Sequence, residues 1–235
     1  IQAAVDAASH GDLIVVADGV YASGGGVISG GLTNRVALSK TVRLTSLNGP
    51  TNTIIEGQKD IGGPNGNGNN AVRAVWMDNW TSLAGFTIRN GATRISGDVA
   101  TLQSGGGLWA LGGNSLVQGC VITNNSANQN GGGSFGGSFE RCIFVGNNAT
   151  NGGGLYGGAG NYCFFTENRS LTLALSAGGG GANGATLRNC VIHKNRAYGG
   201  SAISAKNGGT GGCNLFNCSV TENEGNGIFF GFIYN

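Results

Sequence analysis

The sequence predicts an all-β fold, a single-stranded right-handed parallel β-helix of about nine coils that forms one solenoid. Three observations support this prediction. Glycine supplies 48 of the 235 residues, whereas proline supplies 2 and charged residues only 10%. A cysteine-anchored motif recurs at steps of about 21 to 28 residues, which lies within the range of solenoid repeats. The segments between glycine clusters are short, rich in β-branched and aromatic residues and alternately apolar and polar, as strands are.

The repeats share a pattern after each cysteine: an Ile, Phe or Val follows by two residues and an Asn by five. Equivalent residues of neighbouring coils lie about 4.8 Å apart in a parallel stack. We therefore expect an inward column of free thiols. At the turn we expect a ladder of asparagines that adopt left-handed dihedral angles and bond to one another. The cysteine column comprises Cys120, Cys142, Cys163, Cys190 and Cys218, and the asparagine ladder comprises Asn125, Asn147, Asn168, Asn195 and Asn223.

Residues 1–235 are predicted to form one domain. Ile1, Ala4, Val5 and Ala8 have helical spacing, so residues 1–10 are expected to form a helical cap on the open end of the stack. Residues 101–235 are expected to form the regular coils. Residues 11–100 are expected to form irregular first coils, with strands at 13–17, 36–38, 41–45 and 53–55 and an inserted loop at 62–70.

Charge and hydropathy exclude two classes of partner. The 13 basic and 11 acidic side chains give a formal net charge of +2 and form no basic tract. We therefore expect no nucleic-acid partner. No apolar run approaches the 18 or so residues that a membrane helix needs, so we expect no membrane insertion by this segment.

Two sets of charged residues recur at fixed distances from the cysteines. In a vertical stack these residues would form two surface columns that each place opposite charges on neighbouring coils, and we interpret them as an ion ladder between coils. Four residues after a cysteine stand Glu167, Lys194 and Glu222, and six residues after it stand Arg169, Arg196 and Glu224.

Three further features leave alternatives open. Trp109, Phe135 and Tyr156 each follow a glycine cluster and are expected to form one stack, which faces in or out depending on a one-residue register. Cys213 lies outside the cysteine column, and its redox state is open. The apolar run 227–234 is either an interior strand of a longer protein or a surface for end-to-end assembly.

Particular segments resemble known families. The runs 1–8 and 11–21 and the segment 83–91 are similar to parts of pectate-lyase-like right-handed β-helices. Phe144–Asn147 and Phe165–Asn168 match the FxxN signature of bacterial polymorphic outer membrane protein repeats, and Gly199–Ile203 loosely matches their glycine signature. The resemblance implies a β-helix that is extracellular or displayed on the cell surface. That superfold hosts lyases, hydrolases, adhesins and inert stalks.

The same resemblance suggests where chemistry would lie. Lyases of the superfamily use a Lys or Arg base beside carboxylates that bind calcium or neutralise a uronate. Lys40, Arg43 and Arg73 are the candidates for such a base, and Trp76 and Trp80 are candidates for glycan contact.

Because the sequence contains no Asp-Asp cluster, the favoured function is a non-catalytic structural or adhesive display module without a cofactor. Its partner is expected to be a polysaccharide, another protein or a further copy of itself. The alternative is a polysaccharide lyase acting on an acidic glycan, and calcium is expected only in that case.

Overall fold

The computed structural model describes residues 1–28, 30–171, 178–204, 213–229 and 231–234, without the side chains of 198–204 and 225–234. This part of the chain is all-β apart from a short N-terminal helix, α1 (Gln2–Ala7), and a 3-10 turn at Pro64–Gly66. The strands are β1 (Leu13–Val16), β2 (Gly19–Tyr21), β3 (Gly26–Val27), β4 (Thr33–Leu38), β5 (Arg43–Ser46), β6 (Thr53–Glu56), β7 (Val72–Met77), β8 (Ser82–Ala84), β9 (Thr87–Arg89), β10 (Leu108–Ala110), β11 (Leu116–Gln118), β12 (Val121–Thr123), β13 (Ser134–Phe135), β14 (Ser138–Glu140), β15 (Ile143–Val145), β16 (Asn148–Ala149), β17 (Leu155–Tyr156), β18 (Ala159–Asn161), β19 (Phe164–Thr166), β20 (Arg169–Ser170), β21 (Gly179–Asn183), β22 (Thr186–Arg188), β23 (Val191–His193), β24 (Arg196–Ser204), β25 (Cys213–Phe216), β26 (Ser219–Thr221), β27 (Glu224–Phe229) and β28 (Gly231–Tyr234).

The strands form three long sheets, and in sheets A and B the members follow one another in chain order. Sheet A runs β1-β5-β8-β11-β14-β18-β22-β25-β28, and sheet B runs β2-β6-β9-β12-β15-β19-β23-β26. Sheet C runs β3-β4-β7-β10-β13-β17-β21-β24-β20-β16, with β27 also paired to β24. Every pairing between named strands is parallel except β3 with β4. The all-β, parallel-strand part of the prediction and the short N-terminal helix are thus confirmed.

The register places equivalent residues of successive repeats on neighbouring strands. Phe144 pairs with Ile122 on one side and with Phe165 on the other. All three side chains are fully buried, and the rings of Phe144 and Phe165 stack with centroids 4.7 Å apart. Period-two alternation within each strand therefore delivers one apolar side chain per repeat to a common core.

In each repeat the chain bends after its sheet A strand and again after its sheet B strand, and at both bends a single residue adopts the left-handed backbone conformation. One follows the sheet A strand, as at Arg141 (φ 52°), and the other follows the sheet B strand, as at Glu167 (φ 56°) and Lys194 (φ 53°). The expectation that the ladder asparagines themselves adopt left-handed angles is wrong by one residue. Each asparagine follows the bend residue, so its side chain turns inward, and Asn168 and Asn195 are fully buried.

The buried asparagine side chains bond along the stack. Each donates to the Oδ1 atom of the next, at 3.0 Å from Asn125 to Asn147, 2.9 Å from Asn147 to Asn168 and 2.9 Å from Asn168 to Asn195. The last step, from Asn195 to Asn223, measures 3.1 Å. The second amide hydrogen of each reaches a backbone carbonyl, as from Asn147 to Ile122 at 2.9 Å. Burial of these amides is tolerated because their polar atoms are paired.

The six cysteines are free thiols. Those of the column are buried, with Cys218 half-buried at its end. The Sγ atom of Cys142 donates to the Val117 carbonyl at 3.4 Å, and that of Cys190 accepts the backbone N–H of Cys163 at 3.4 Å. Cys213 is also buried, and burial raises its pKa to about 12. The hydrogen bond with Cys142 and burial raise the pKa of Cys163 to about 12.

The N-terminal helix packs against sheet C. Val5 is 1% exposed and belongs to the main core. The side chain of Gln2 accepts the backbone N–H of Ala37 at 2.7 Å and donates to its carbonyl at 3.3 Å. These contacts hold the helix beside β4.

Residues 59–70, which we call the insertion loop, connect β6 to β7 over the outer surface of the stack. Asn67 is 1% exposed, and its Nδ2 atom donates to the Ser126 hydroxyl at 2.9 Å. Lys59 Nζ donates to the Asn124 side-chain oxygen at 2.8 Å. The loop is therefore anchored to residues about sixty positions further along the chain.

The apolar run 227–234 includes the end of β27 and the whole of β28. Its side chains and Phe230 lie outside the described residues, so the structure does not address its role in assembly.

Candidate functional site

A polar depression lies on the bend between sheets B and C. Its volume is about 670 Å³, and we call it the charged groove. It is lined by Asn65, Gly146, Asn147, Asn148, Glu167, Arg169, Leu171, Lys194, Arg196, Glu222 and Glu224.

The repeat itself positions the charged lining. On either side of each inward-pointing ladder asparagine, the residues four and six positions after the cysteine direct their side chains outward. Strand pairing aligns Asn148 with Arg169, Arg169 with Arg196 and Arg196 with Glu224. The groove is thus lined by side chains that recur once per repeat on a hydrogen-bonded framework.

Two ion pairs occupy the C-terminal part of the groove. Lys194 Nζ lies 3.6 Å from Glu222 Oε2, and Arg196 Nε lies 2.9 Å from Glu224 Oε2. All four side chains are substantially exposed, so each pair contributes at most about 1 kcal/mol. These pairs leave the groove electrically balanced at this end.

The central part of the groove is different. Neither Glu167 nor Arg169 takes part in an ion pair with another described residue. Both are exposed, and both lie one repeat after Gly146 and Asn148. A free carboxylate, a free guanidinium and an amide therefore share one depression, where they can accept and donate hydrogen bonds to a polar ligand.

Gly146 forms the open floor of this centre. Its φ is +66°, the conformation that Glu167 and Lys194 adopt at the same bend. A Cβ built on Gly146 would have nothing within 4 Å. The absence of a side chain at Gly146 thus leaves a space open that side chains at the same bend position occupy in the neighbouring repeats.

The cations predicted as lyase bases do not lie in the groove. Lys40 Nζ donates to the carbonyls of Asp6 and Ala8 at 2.6 and 2.9 Å, so it stabilises the C-terminal end of α1. Arg43 is exposed at the start of β5 on sheet A, paired with Ser82. The structure does not bring these two residues together with carboxylates in a common cleft.

Arg73 is buried, with 1% of its surface exposed. It donates to the carbonyls of Gly105 at 2.8 Å and Ser104 at 2.9 Å, and to Asn34 Oδ1 at 2.9 Å. Burial lowers its pKa. This guanidinium holds the segment 94–105 against sheet C and is inaccessible to a substrate.

The two candidate tryptophans lie in different environments. Trp76 is 6% exposed and donates from Nε1 to Asp78 at 2.8 Å. Trp80 is 68% exposed and adopts φ +65°, which is unfavourable for a bulky residue. Only Trp80 is therefore available to a ligand.

The aromatic residues form one stack on the outer face of sheet C. Trp76 and Trp109 are 3.9 Å apart between ring centroids, Trp109 and Phe135 are 6.2 Å apart, and Phe135 and Tyr156 are 5.5 Å apart. Leu108, the neighbour of Trp109, belongs to the main core, whereas Trp109 does not. Alternation along β10 therefore turns the stack outward, where Trp109 Nε1 donates to the Ala100 carbonyl at 2.8 Å.

The expected ion ladder is formed by Lys194 with Glu222 and by Arg196 with Glu224, and it does not extend to Glu167 and Arg169 among the described residues. The sequence pattern did not reveal the groove. The signal that could have revealed it is Gly146, the glycine at a bend position where later repeats carry side chains. No group of three His, Cys, Asp or Glu residues within the described ranges converges in a way that could hold a metal ion. Nor does the described part of the chain contain a helix with the length and apolar character needed to cross a bilayer.

Comparison with known proteins finds no matching family model and no similar curated sequence.

Proposed function

We propose that the three sheets are the faces of a right-handed parallel β-helix that serves as a non-catalytic structural or adhesive module. In this proposal the protein is secreted or displayed on a cell surface, and the charged groove binds a glycan. The observation that carries the proposal is the unpaired Glu167 and Arg169 beside the open floor at Gly146. Groups on a rigid framework lose little entropy when they bind a ligand.

The chemistry of the groove suits a polyhydroxylated ligand. Asn65 and Asn148 supply side-chain amides, Glu167 supplies two acceptor oxygens, and Arg169 supplies a planar set of donors. Neighbouring sugar hydroxyls both donate and accept, so paired polar groups of this kind can bind them bidentately. A mixed lining without net charge also favours hydroxyl recognition over simple attraction of a polyion.

A substitution at Gly146 tests the proposal directly. Gly146→Gln should keep the bend, because Glu167 and Lys194 adopt nearly the same φ, and should place a side chain in the groove. Gly119→Gln is the matched control. Gly119 has φ +56° and open space around its Cβ, and Arg141 occupies the same bend position one repeat later.

Both variants and the wild type would be screened on an array of neutral and acidic glycans, followed by calorimetry on any glycan bound. Wild type and Gly119→Gln should bind, and Gly146→Gln should lose about tenfold or more in affinity, or about 1.4 kcal/mol. Absence of any bound glycan, or equal binding by all three proteins, would refute the proposal.

A polysaccharide lyase acting on an acidic glycan is the second candidate. It is favoured by one observation, the presence of three cations, Arg169, Lys194 and Arg196, in a single groove. A cation beside a uronate neutralises its carboxylate and lowers the cost of removing the adjacent proton. Incubation with polyuronates, with and without calcium, would be followed by the ultraviolet absorbance of the unsaturated product. Product that Arg169→Gln fails to form would favour this candidate, and no product from the wild type would exclude it for those substrates.

A further inference from the structure

We propose that the insertion loop closes one end of the charged groove, so that the groove receives the end of a linear glycan chain and excludes its interior. This inference rests on the proposed glycan binding and adds the mode of recognition.

The first observation is an abrupt change between two neighbouring repeats. In the repeat of Cys120, the two outward bend positions are Asn124 and Ser126, and the insertion loop contacts both. Lys59 bonds to Asn124, and Asn67 bonds to Ser126, which is fully buried.

In the next repeat the same two positions are held by Gly146 and Asn148, which line the groove. The loop therefore lies on the bend in the repeat of Cys120, where it buries Ser126 and leaves Asn124 exposed, and the bend is open to the groove in the next repeat, one strand spacing or about 4.8 Å away.

The second observation is that the loop is packed in place. A Cβ on Gly66 would lie 2.9 Å from three carbon atoms of the Lys59 side chain, so the loop backbone rests directly on that side chain. Burial lowers the pKa of Lys59, consistent with an amine that the loop partly covers. Asn65, the residue before Gly66, forms part of the groove lining. The same loop therefore closes the groove and contributes to its surface.

The third observation is a second depression on the far side of the loop. Its volume is about 590 Å³, and it is lined by Ala22, Glu56, Gly57, Gln58, Lys59 and Asn90. Asn90 adopts φ +56°, so it occupies the same kind of bend as Asn124 and Gly146. Lys59 thus stands between two depressions on one bend. A glycan bound through its interior would have to cross Lys59 and the loop that covers it.

Stoichiometry distinguishes end recognition from interior recognition. The probes are chitin oligosaccharides and oligogalacturonides from dimer to decamer, together with their parent polymers, measured by calorimetry with the full chain. End recognition predicts one protein per glycan chain at every length and an affinity that stops rising once the groove is filled. Interior recognition predicts a number of bound proteins that rises with chain length.

Two variants assign the effect to the loop. Lys59→Ala removes the side chain between the two depressions, and replacing residues 60–69 with a short glycine-serine link removes the cover. The milder Lys59→Ala keeps the test available if the shortened loop fails to fold, because it leaves the anchor of Asn67 in place. Arg43→Ala, which removes an exposed cation on sheet A that lines neither depression, is the control.

Each result decides a separate point. One protein per chain for wild type and Arg43→Ala, with several per polymer for Lys59→Ala or the shortened loop, supports the inference. Wild-type stoichiometry that rises with length overturns it and leaves glycan binding intact. One protein per chain in all four proteins overturns the role of the loop. Absence of binding to every probe refutes the proposed function at this site, and the inference with it.

Discussion

Replacement of Asn147 by alanine removes a central rung of the asparagine ladder. Its side chain donates to the Ile122 carbonyl and to Asn168 Oδ1, both at 2.9 Å. It accepts the backbone N–H of Asn125 at 3.1 Å and the side-chain amide of Asn125 at 3.0 Å. Each bond contributes about 1 kcal/mol, so Asn147→Ala should lower the free energy of unfolding by about 4 kcal/mol. That loss is a large fraction of the 5–15 kcal/mol typical of a folded domain.

The neighbouring residue supplies the control. Asn148 is half-buried, and its side chain accepts one bond, from the Ser126 hydroxyl at 2.8 Å. Asn148→Ala should therefore cost about 1 kcal/mol or less. Urea unfolding of both variants, followed by far-ultraviolet circular dichroism, measures the difference from the midpoint and the slope. Equal stability of the two variants would show that the ladder does not stabilise the fold through these bonds.

Three further predictions concern other parts of the chain. Arg73→Met should expose the segment 94–105 to proteases, because three backbone carbonyls and Asn34 lose their donor. Limited proteolysis with mass spectrometry measures the cleavage rate, which the control Arg43→Met, at an exposed arginine, should leave unchanged. Trp80→Asn should raise the free energy of unfolding by about 1 kcal/mol, because asparagine tolerates φ +65° better than a bulky residue and the exposed ring packs little. The control Trp80→Ala loses the same ring but does not relieve the backbone strain, so an equal effect of the two substitutions would contradict this prediction. Stability should fall as pH rises from about 9 to about 12, because thiols of the unfolded chain ionise near their ordinary pKa of 9.0, whereas in the folded protein the pKa values of Cys163, Cys190 and Cys213 are raised to about 12. Unfolding midpoints measured across that pH range test this prediction. A flat profile, or rapid labelling of the native thiols by Ellman's reagent, would argue against buried free thiols.

Features that repeat along the chain could be predicted from the sequence. Equal spacing from each cysteine to the following asparagine means that parallel strands in register bring like residues to neighbouring positions. The strand character, the parallel pairing and the short N-terminal helix follow from that spacing and from local patterns of apolar residues. Even so, the left-handed bend lies one residue earlier than expected. The positions four and five residues after each cysteine recur at the same interval along the chain, so the interval alone does not indicate which of them adopts the left-handed conformation.

Features that depend on residues far apart in sequence could not be predicted. Lys59 and Asn124 are separated by 65 positions, and no local pattern indicates that their side chains meet. Burial of Arg73 depends likewise on a segment that folds back over sheet C some thirty residues later. Nothing in the local sequence around the candidate lyase cations indicates that Arg73 is buried, that Lys40 bonds to the end of α1 and that Arg43 is exposed.

The amino-acid sequence alone thus determines the repeating part of this protein, because a periodic chain that pairs with itself must stack its equivalent side chains. Tertiary structure decides the non-repeating part: which way the tryptophans face, which cations are buried, and where a loop lies across the bend between sheets B and C. The charged groove belongs to both, since its side chains recur with the repeat while its closed end depends on a single insertion.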